Sequence, residues 1–203
     1  MLQGIDISHH NFYMQNIQDL NTKDFVIMKA TEGVRYRDPK MPVYMNVLNN
    51  ETLYGFYHFA RPDLSNDPED EALHFVNYIR KYISDRSLLA LDVEAGALTV
   101  KGLDKWCATW AQVVDIETGI LPLIYCSVAE CKKFKATAAL GCGLWAAKWW
   151  GEKPTQKQIK PWPFWAIWQY TSQGSFSGVR IDEDIFNGSR EQYMKYCKVV
   201  DNG

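Results

Sequence analysis

Most of the signatures that announce a mechanism are missing from this chain. No GxSxG elbow surrounds Ser8, Ser127 or Ser172, and neither common glycine-rich phosphate loop occurs. The five cysteines, Cys107, Cys126, Cys131, Cys142 and Cys197, form no CxxC pair and have no histidine at zinc-finger spacing. An odd count leaves at least one thiol without an internal partner, so free, buried cysteines made in a reducing compartment are expected. No apolar run approaches the ~20 residues of a membrane span. The opening MLQGIDISHH has neither the charged nor the apolar region of a signal peptide. Charge of one sign is lacking too: the formal net charge is -2, and lysines and arginines are scattered. Neither nucleic acid nor a membrane surface is therefore expected as a partner. With no repeat, low-complexity tract or linker, residues 1–203 are read as one domain.

Aromatic residues are what the chain has in plenty: 14% of the sequence, with 8 tryptophans and 11 tyrosines. They fit either a tryptophan-rich core or a carbohydrate cleft, where sugar C–H faces stack on indole and phenol rings. Eight short apolar or aromatic runs read as strands: Gly4–Ser8, Phe25–Thr31, Leu53–Ala60, Leu88–Glu94, Leu121–Ser127, Leu144–Lys148, Phe164–Thr171 and Arg180–Phe186. A helix is predicted behind a capping Asp67, with Pro68 at its first position. Its apolar face is Ala72, Phe75, Val76, Ile79, Tyr82 and Ile83. A second carries Leu103, Trp106, Cys107, Trp110, Val113 and Val114 and stops at Gly119. Strands alternating with helices imply βαβ units around a parallel sheet. Eight strands imply closure, yet a full (β/α)₈ barrel usually takes ~250 residues. Prolines 154, 161 and 163 and glycines 174 and 178 occupy the late gaps. The expectation is an α/β fold: a shortened, irregular TIM-like barrel with loops in place of the last helices.

The chemistry concentrates in Leu-Leu-Ala-Leu-Asp-Val-Glu, residues 88–94. Alternate residues of a strand share a face, roughly 6.5–7 Å apart along it. Asp92 and Glu94 would thus project together from the C-terminal end of a barrel strand, where such folds build their sites. Two close carboxyls in an aromatic setting do not both ionise easily, so one keeps its proton and can serve as a general acid. An isolated pair of this kind is as readily two hydrated acids at a fraying strand end. Two further acids change that: Asp6 ends the first strand run and Asp182 sits in the last. In a closed barrel the first and last strands are neighbours, which brings three strands' acids to one mouth.

Seven segments in order carry a resemblance. They are Gly-Ile-Asp-Ile-Ser-His (4–9), Lys-Ala-Thr-Glu-Gly (29–33), Gly-Phe-Tyr-His-Phe-Ala-Arg-Pro (55–62), Leu-Asp-Val-Glu (91–94), Pro-Leu-Ile-Tyr (122–125), Leu-Trp-Ala-Ala (144–147) and Trp-Gln-Tyr-Thr-Ser-Gln-Gly (168–174). The chain resembles glycoside hydrolase family 25, the Chalaropsis-type lysozymes that include many phage endolysins. The resemblance implies a flattened, incomplete barrel and cleavage of the β-1,4 bond between N-acetylmuramic acid and N-acetylglucosamine. Glu94 would be the general acid, Asp92 would orient or stabilise the substrate acetamido group, and Asp6 and Asp182 would shape the charge of the cleft. Retention of configuration through the substrate's own N-acetyl oxygen is implied, an exception to the usual carboxylate nucleophile. Two departures stand out. His10 and Asn11 replace the usual Trp and Gln, and Ile181-Asp182-Glu183-Asp184 replaces Val-Asp-Leu-Asn. Either Asp182 or Asp184 can take the family's role, the alignment through Ile181 and Phe186 favouring Asp182.

The resemblance also implies cleft tyrosines at Tyr57 and Tyr125 and substrate contact at Gln169. Trp145 is the favoured sugar platform, and Trp149 or Trp150 is expected on the cleft rim. Lys29 and Glu32 read equally as a structural ion pair and as substrate contacts. A metal is not expected, because His9 and His10, adjacent on a strand, would face opposite ways. His58 is expected in a hydrogen-bonded core position. No cofactor is anticipated, and peptidoglycan strands are the anticipated partner of a monomer. The site of action implied is the bacterial cell wall, after release as in phage endolysins or as a secreted enzyme whose leader was trimmed. A protein that binds glycan without cutting it is the alternative, disfavoured by both acids being in place.

Overall fold

A computed structural model describes residues 1–197. The strands are β1 (Leu2–Ile7), β2 (Phe25–Glu32), β3 (Tyr36–Arg37), β4 (Leu53–Phe59), β5 (Ser87–Asp92), β6 (Leu123–Ser127), β7 (Leu144–Ala147), β8 (Ile167–Phe176) and β9 (Val179–Phe186). The helices are α1 (Met41–Val47), α2 (Pro68–Ile79), α3 (Leu103–Thr118), α4 (Lys135–Ala139) and α5 (Arg190–Met194). Neighbours run β1-β9-β8-β7-β6-β5-β4-β2, and a β1–β2 pairing closes the ring into an eight-stranded barrel. The expected shortened TIM-like barrel is the fold observed.

Three details differ from expectation. Strand β3, two residues long, pairs with the end of β2 outside the ring; it is too short to leave a periodic pattern. The last strand, β9, runs antiparallel to both β8 and β1. A parallel return needs a crossover of a dozen or more residues, and only Ser177 and Gly178 lie between β8 and β9. Both have positive φ, 45° and 80°, as a two-residue hairpin turn requires. Helices are also missing from the first connection, β1 to β2, where only 3₁₀ turns occur. His9 and His10 fall in the first of these turns, not on a strand, and their rings lie 3.8 Å apart.

Two apolar cores follow from the alternation of each strand. Outward residues such as Val26, Met28, Leu89 and Leu91 meet Phe75, Val76, Trp110 and Val114 of α2 and α3. Helix α2 begins after Asp67 as expected, but that side chain makes no capping bond; acids 69–71 in the first turn complement the helix dipole instead. Tyr82 and Ile83 lie past the end of α2 and still pack on this core. Helix α3 stops at Gly119, whose φ of 70° takes the left-handed cap position. Inside the ring sit Phe25, Ile27, Leu53, Leu88, Ala90, Leu123 and Ile167. Gly4 makes room for Phe25, since a Cβ there would lie 2.4 Å from the ring. All five cysteines are buried free thiols. No helix among the described residues is long and apolar enough to cross a membrane.

The N-terminal end of the barrel is plugged by α5. Tyr193, fully buried, packs its ring against Phe25 and Phe186 and donates its hydroxyl to the Tyr54 carbonyl at 2.9 Å. Tyr193→Ala is expected to lower the unfolding free energy by about 3–5 kcal/mol through the cavity it opens. Tyr193→Phe, which removes only the hydroxyl, should cost about 1 kcal/mol. Urea denaturation of both variants measures the difference.

Candidate active site

At the opposite end the strands deliver one inward side chain each. Asp6 (β1), Lys29 (β2), Tyr57 (β4), Asp92 (β5), Tyr125 (β6), Trp145 (β7), Gln169 (β8) and Asp182 (β9) line a single cavity of about 320 Å³, with Glu94 two residues past β5. The expected acids and the expected Lys29, Tyr57, Tyr125, Trp145 and Gln169 all line this cavity, whereas Glu32 and Trp150 do not. Asp182, not Asp184, faces it: Asp184 is fully buried below, where its Oδ1 accepts the Trp145 indole N–H at 2.8 Å. The register explains the pairing, since Asp6 lies opposite Asp182 and Gly4 opposite Asp184 across the β1–β9 seam.

Two expected contacts take another form. Trp145 is only 2% exposed, with its ring against the edges of Tyr57 and Tyr125, so it forms the floor and offers no open stacking face. The exposed indoles are Trp149 at 41% and Trp150 at 71%, which bear out the rim position expected of them. Gln169 is a buried hub. Its Nε2 donates to Asp6 at 2.8 Å, while its Oε1 accepts from the Tyr125 hydroxyl at 2.9 Å and the Trp149 indole at 2.8 Å. Its carbonyl is thus fully engaged inside the protein.

The electrostatics are lopsided: four acids line the cavity with one cation, Lys29. Lys29 is itself held aside by Glu32 at 2.7 Å, which also binds Arg61 at 2.7 Å, so the ion-pair reading holds although the amine still reaches the cavity. Burial drives the Asp92 carboxyl well above the usual carboxylate range, and the neighbouring Glu94 charge adds to this. Asp92 Oδ1 is buried without a hydrogen-bond partner. Burial and then the Asp182 charge raise Glu94, with Lys29 pulling the other way. Asp182 is pushed up to about 6, chiefly by burial. Asp6 is raised strongly, by burial first and by the charges of Asp184 and Asp182 next. The cavity therefore holds carboxyls that retain protons where solvated acids have lost theirs.

A brace keeps β4 in place. His58, buried, bonds Thr31 at 2.7 Å and Glu71 of α2 at 2.8 Å. Glu71 as a carboxylate is acceptor-only, so Nε2–H donates to it and Nδ1 takes the threonine proton. This is the core position expected of His58. His9 is tied to Asp38 and Tyr36 through Nδ1, and among the described residues no group of three or more His, Cys, Asp or Glu is placed to hold a metal.

Sequence reasoning did not single out Ser8, Phe59 or Ser172 as lining residues, though all three line the cavity. Phe59 was accessible, being two residues beyond Tyr57 on the same face of β4. Ser172 was not, because the β8–β9 register shifts twice between Gln169 and Gly174. Alongside runs a second trough of about 300 Å³, walled by Val93, Leu98, Val128, Trp149 and Trp150. It shares Glu94, Tyr125 and Trp149 with the first, so the two troughs adjoin at Glu94.

Known proteins match this arrangement along almost the whole chain. Lysozyme M1 of Streptomyces globisporus is 30% identical over 212 residues, covering 95% of this chain and 70% of that protein. The N,O-diacetylmuramidase of Arthroderma benhamiae is 27% identical over 218 residues, covering 97% and 87%. The crystal structure of a bacterial lysozyme from Streptomyces coelicolor superimposes with a TM-score of 0.83 at 26% identity, covering 97% of this chain and 96% of that one. The sequence profile of the glycosyl hydrolases family 25 matches residues 5–179. The chain belongs to that family and is a glycoside hydrolase.

Proposed function

We propose that this glycosidase is a muramidase, cutting the β-1,4 bond between N-acetylmuramic acid and N-acetylglucosamine in bacterial peptidoglycan. One observation carries the reading: Glu94, its proton held by burial and by Asp182, stands where two connected troughs meet. A polymer lying along the groove would place an internal linkage at that carboxyl. The exposed indoles of Trp149 and Trp150 flank the path and present faces for sugar rings.

In the mechanism that follows, Glu94 gives its proton to the bridging oxygen as the C1–O bond breaks. The acetamido carbonyl oxygen of the same sugar attacks C1 from the opposite face and forms a cyclic oxazolinium. Asp92, which lines the cavity beside Glu94, takes the acetamido N–H and holds that oxygen in line. Water, deprotonated by the now ionised Glu94, then opens the ring at C1. Two inversions leave the configuration retained, which is substrate assistance in place of a carboxylate nucleophile. The similarity of the chain to a lysozyme and a muramidase supports the choice of peptidoglycan over other acetamido-sugar polymers. The wall polymer is accordingly its proposed site of action.

Glu94→Gln should abolish release of reducing ends from cell-wall suspensions while thermal unfolding stays within a few degrees of the parent. An equally active variant sinks the assignment, as does parent protein that binds muropeptides saturably without cutting them. Asp92→Asn should depress kcat by about 10²-fold or more with a smaller change in KM; an unchanged kcat removes Asp92 from the mechanism. Asp182→Asn removes a negative charge beside Glu94 and so lowers that carboxyl's pKa. The alkaline limb of the kcat/KM profile, where Glu94 loses its proton, should then move to lower pH. A limb that stays in place or moves up contradicts the electrostatic account.

A further inference from the structure

Asp184 takes no part in the scheme above, yet it is a fully buried acid directly under the reacting groups. Its Oδ1 has the Trp145 indole N–H at 2.8 Å, and its Oδ2 is buried with no N–H or hydroxyl donor among the described residues. Asp6 lies within hydrogen-bonding reach across the β1–β9 seam. Two carboxylates cannot satisfy one another, because each only accepts. A single proton between them removes the difficulty: one carboxyl donates, the orphaned oxygen accepts, and the pair carries one negative charge instead of two. The titratable groups facing the pair are Asp182 and Glu183 on β9, Tyr170 on β8, Tyr57, Tyr125 and Tyr193. All are acids or phenols, so none supplies a compensating positive charge.

The other oxygen of Asp6, Oδ2, receives the Gln169 amide at 2.8 Å, and Gln169 in turn holds Tyr125 and Trp149. The orientation of Asp6 therefore sets that of a cleft-floor tyrosine and a rim indole. We propose that Asp184 is a positioning residue: one proton held between it and Asp6 locks Asp6, and through Gln169 fixes Tyr125 and Trp149 at the substrate groove. Burial raises both carboxyls, Asp184 to about 8, and the hydrogen bond between them raises Asp6 while lowering Asp184, which agrees with Asp6 as the donor and Asp184 as the acceptor. The effect on turnover rests on the muramidase reading; the shared proton does not.

The sign of the linkage makes the proton measurable. An unfolded chain sheds an aspartate proton near pH 4, whereas in the folded state burial pushes the Asp184 carboxyl up to about 8 and raises Asp6 well above the usual carboxylate range. The folded state binds more protons throughout that window, so this pair's contribution to stability is complete at low pH and is lost as pH rises. In Asp184→Asn the amide N–H donates to Asp6 and the carbonyl still accepts from Trp145, leaving Asp6 as the one titratable member of the pair. Its Tm advantage over the parent should widen steadily from pH 5 to pH 8. Asp184→Leu keeps the bulk but neither bond, and its kcat for muropeptide release should fall by at least about tenfold, a loss that displaced groove residues can produce. The Asn variant should recover most of that loss, with KM moving less than kcat. A Tm difference that stays flat with pH, or an Asn variant as impaired as Leu, overturns the proposal. Should Leu fail to fold, the Asn series decides alone. Parent protein that releases no muropeptides would refute the muramidase reading while leaving the Tm series to judge the shared proton.

Discussion

Everything at the mouth of this barrel depends on crowding carboxyls where water is scarce. Five acids, Asp6, Asp92, Glu94, Asp182 and Asp184, converge from three strands and one strand exit; the first four line the cavity, and among the described residues Lys29 is the one lysine or arginine lining it with them. Each additional negative charge in such a place makes the next ionisation harder. The cluster therefore stores protons instead of repelling itself apart. A groove meant to bind a phosphate would need the opposite sign. One meant to protonate a glycosidic oxygen gains from this arrangement, because its acid is still charged with a proton when the substrate arrives.

The rest of the molecule is arranged to tolerate that concentration. The fully buried His58–Glu71 bridge ties β4 to α2, and Thr31 joins the same brace from β2. At the far end, the Tyr193 plug fills the ring so that the interior below the acids stays dry. A dry interior is what raises the carboxyls, so packing at the far end of the barrel belongs to the electrostatics of the site. Stability and proton affinity share one cause.

Much of this was legible in the sequence because strands have period two and barrels put their sites at one end. Asp6, Lys29, Tyr57, Asp92, Tyr125, Gln169 and Asp182 each lie in a strand run, and closure of the ring brings them together. What escaped was decided by neighbours distant in sequence. Trp145 looked like a platform because indoles often are, but Tyr57, Tyr125 and Asp184 from other strands enclose it. Gln169 looked like a sugar contact, and its carbonyl is occupied by two partners that no local pattern reveals. The reversal of β9 was written in Ser177-Gly178, a turn signal outweighed by the parallel pattern preceding it. Asp182 and Asp184 have the same parity on the strand, so alternation could not tell them apart; depth in the barrel does.

The seam between β1 and β9 has a consequence for how the enzyme comes into being. Gln169 and Asp6, bonded at the floor of the cleft, are 163 residues apart in sequence, and β9 inserts between the strands that carry them. A nascent chain can stack β2, β4, β5, β6 and β7 side by side as they emerge, but contacts of such long sequence separation come late and slowly. Until the closing hairpin docks, the acids of the first and last strands have not met. Catalytic competence should therefore arrive in a single step at ring closure, with the partly made polypeptide inactive until then.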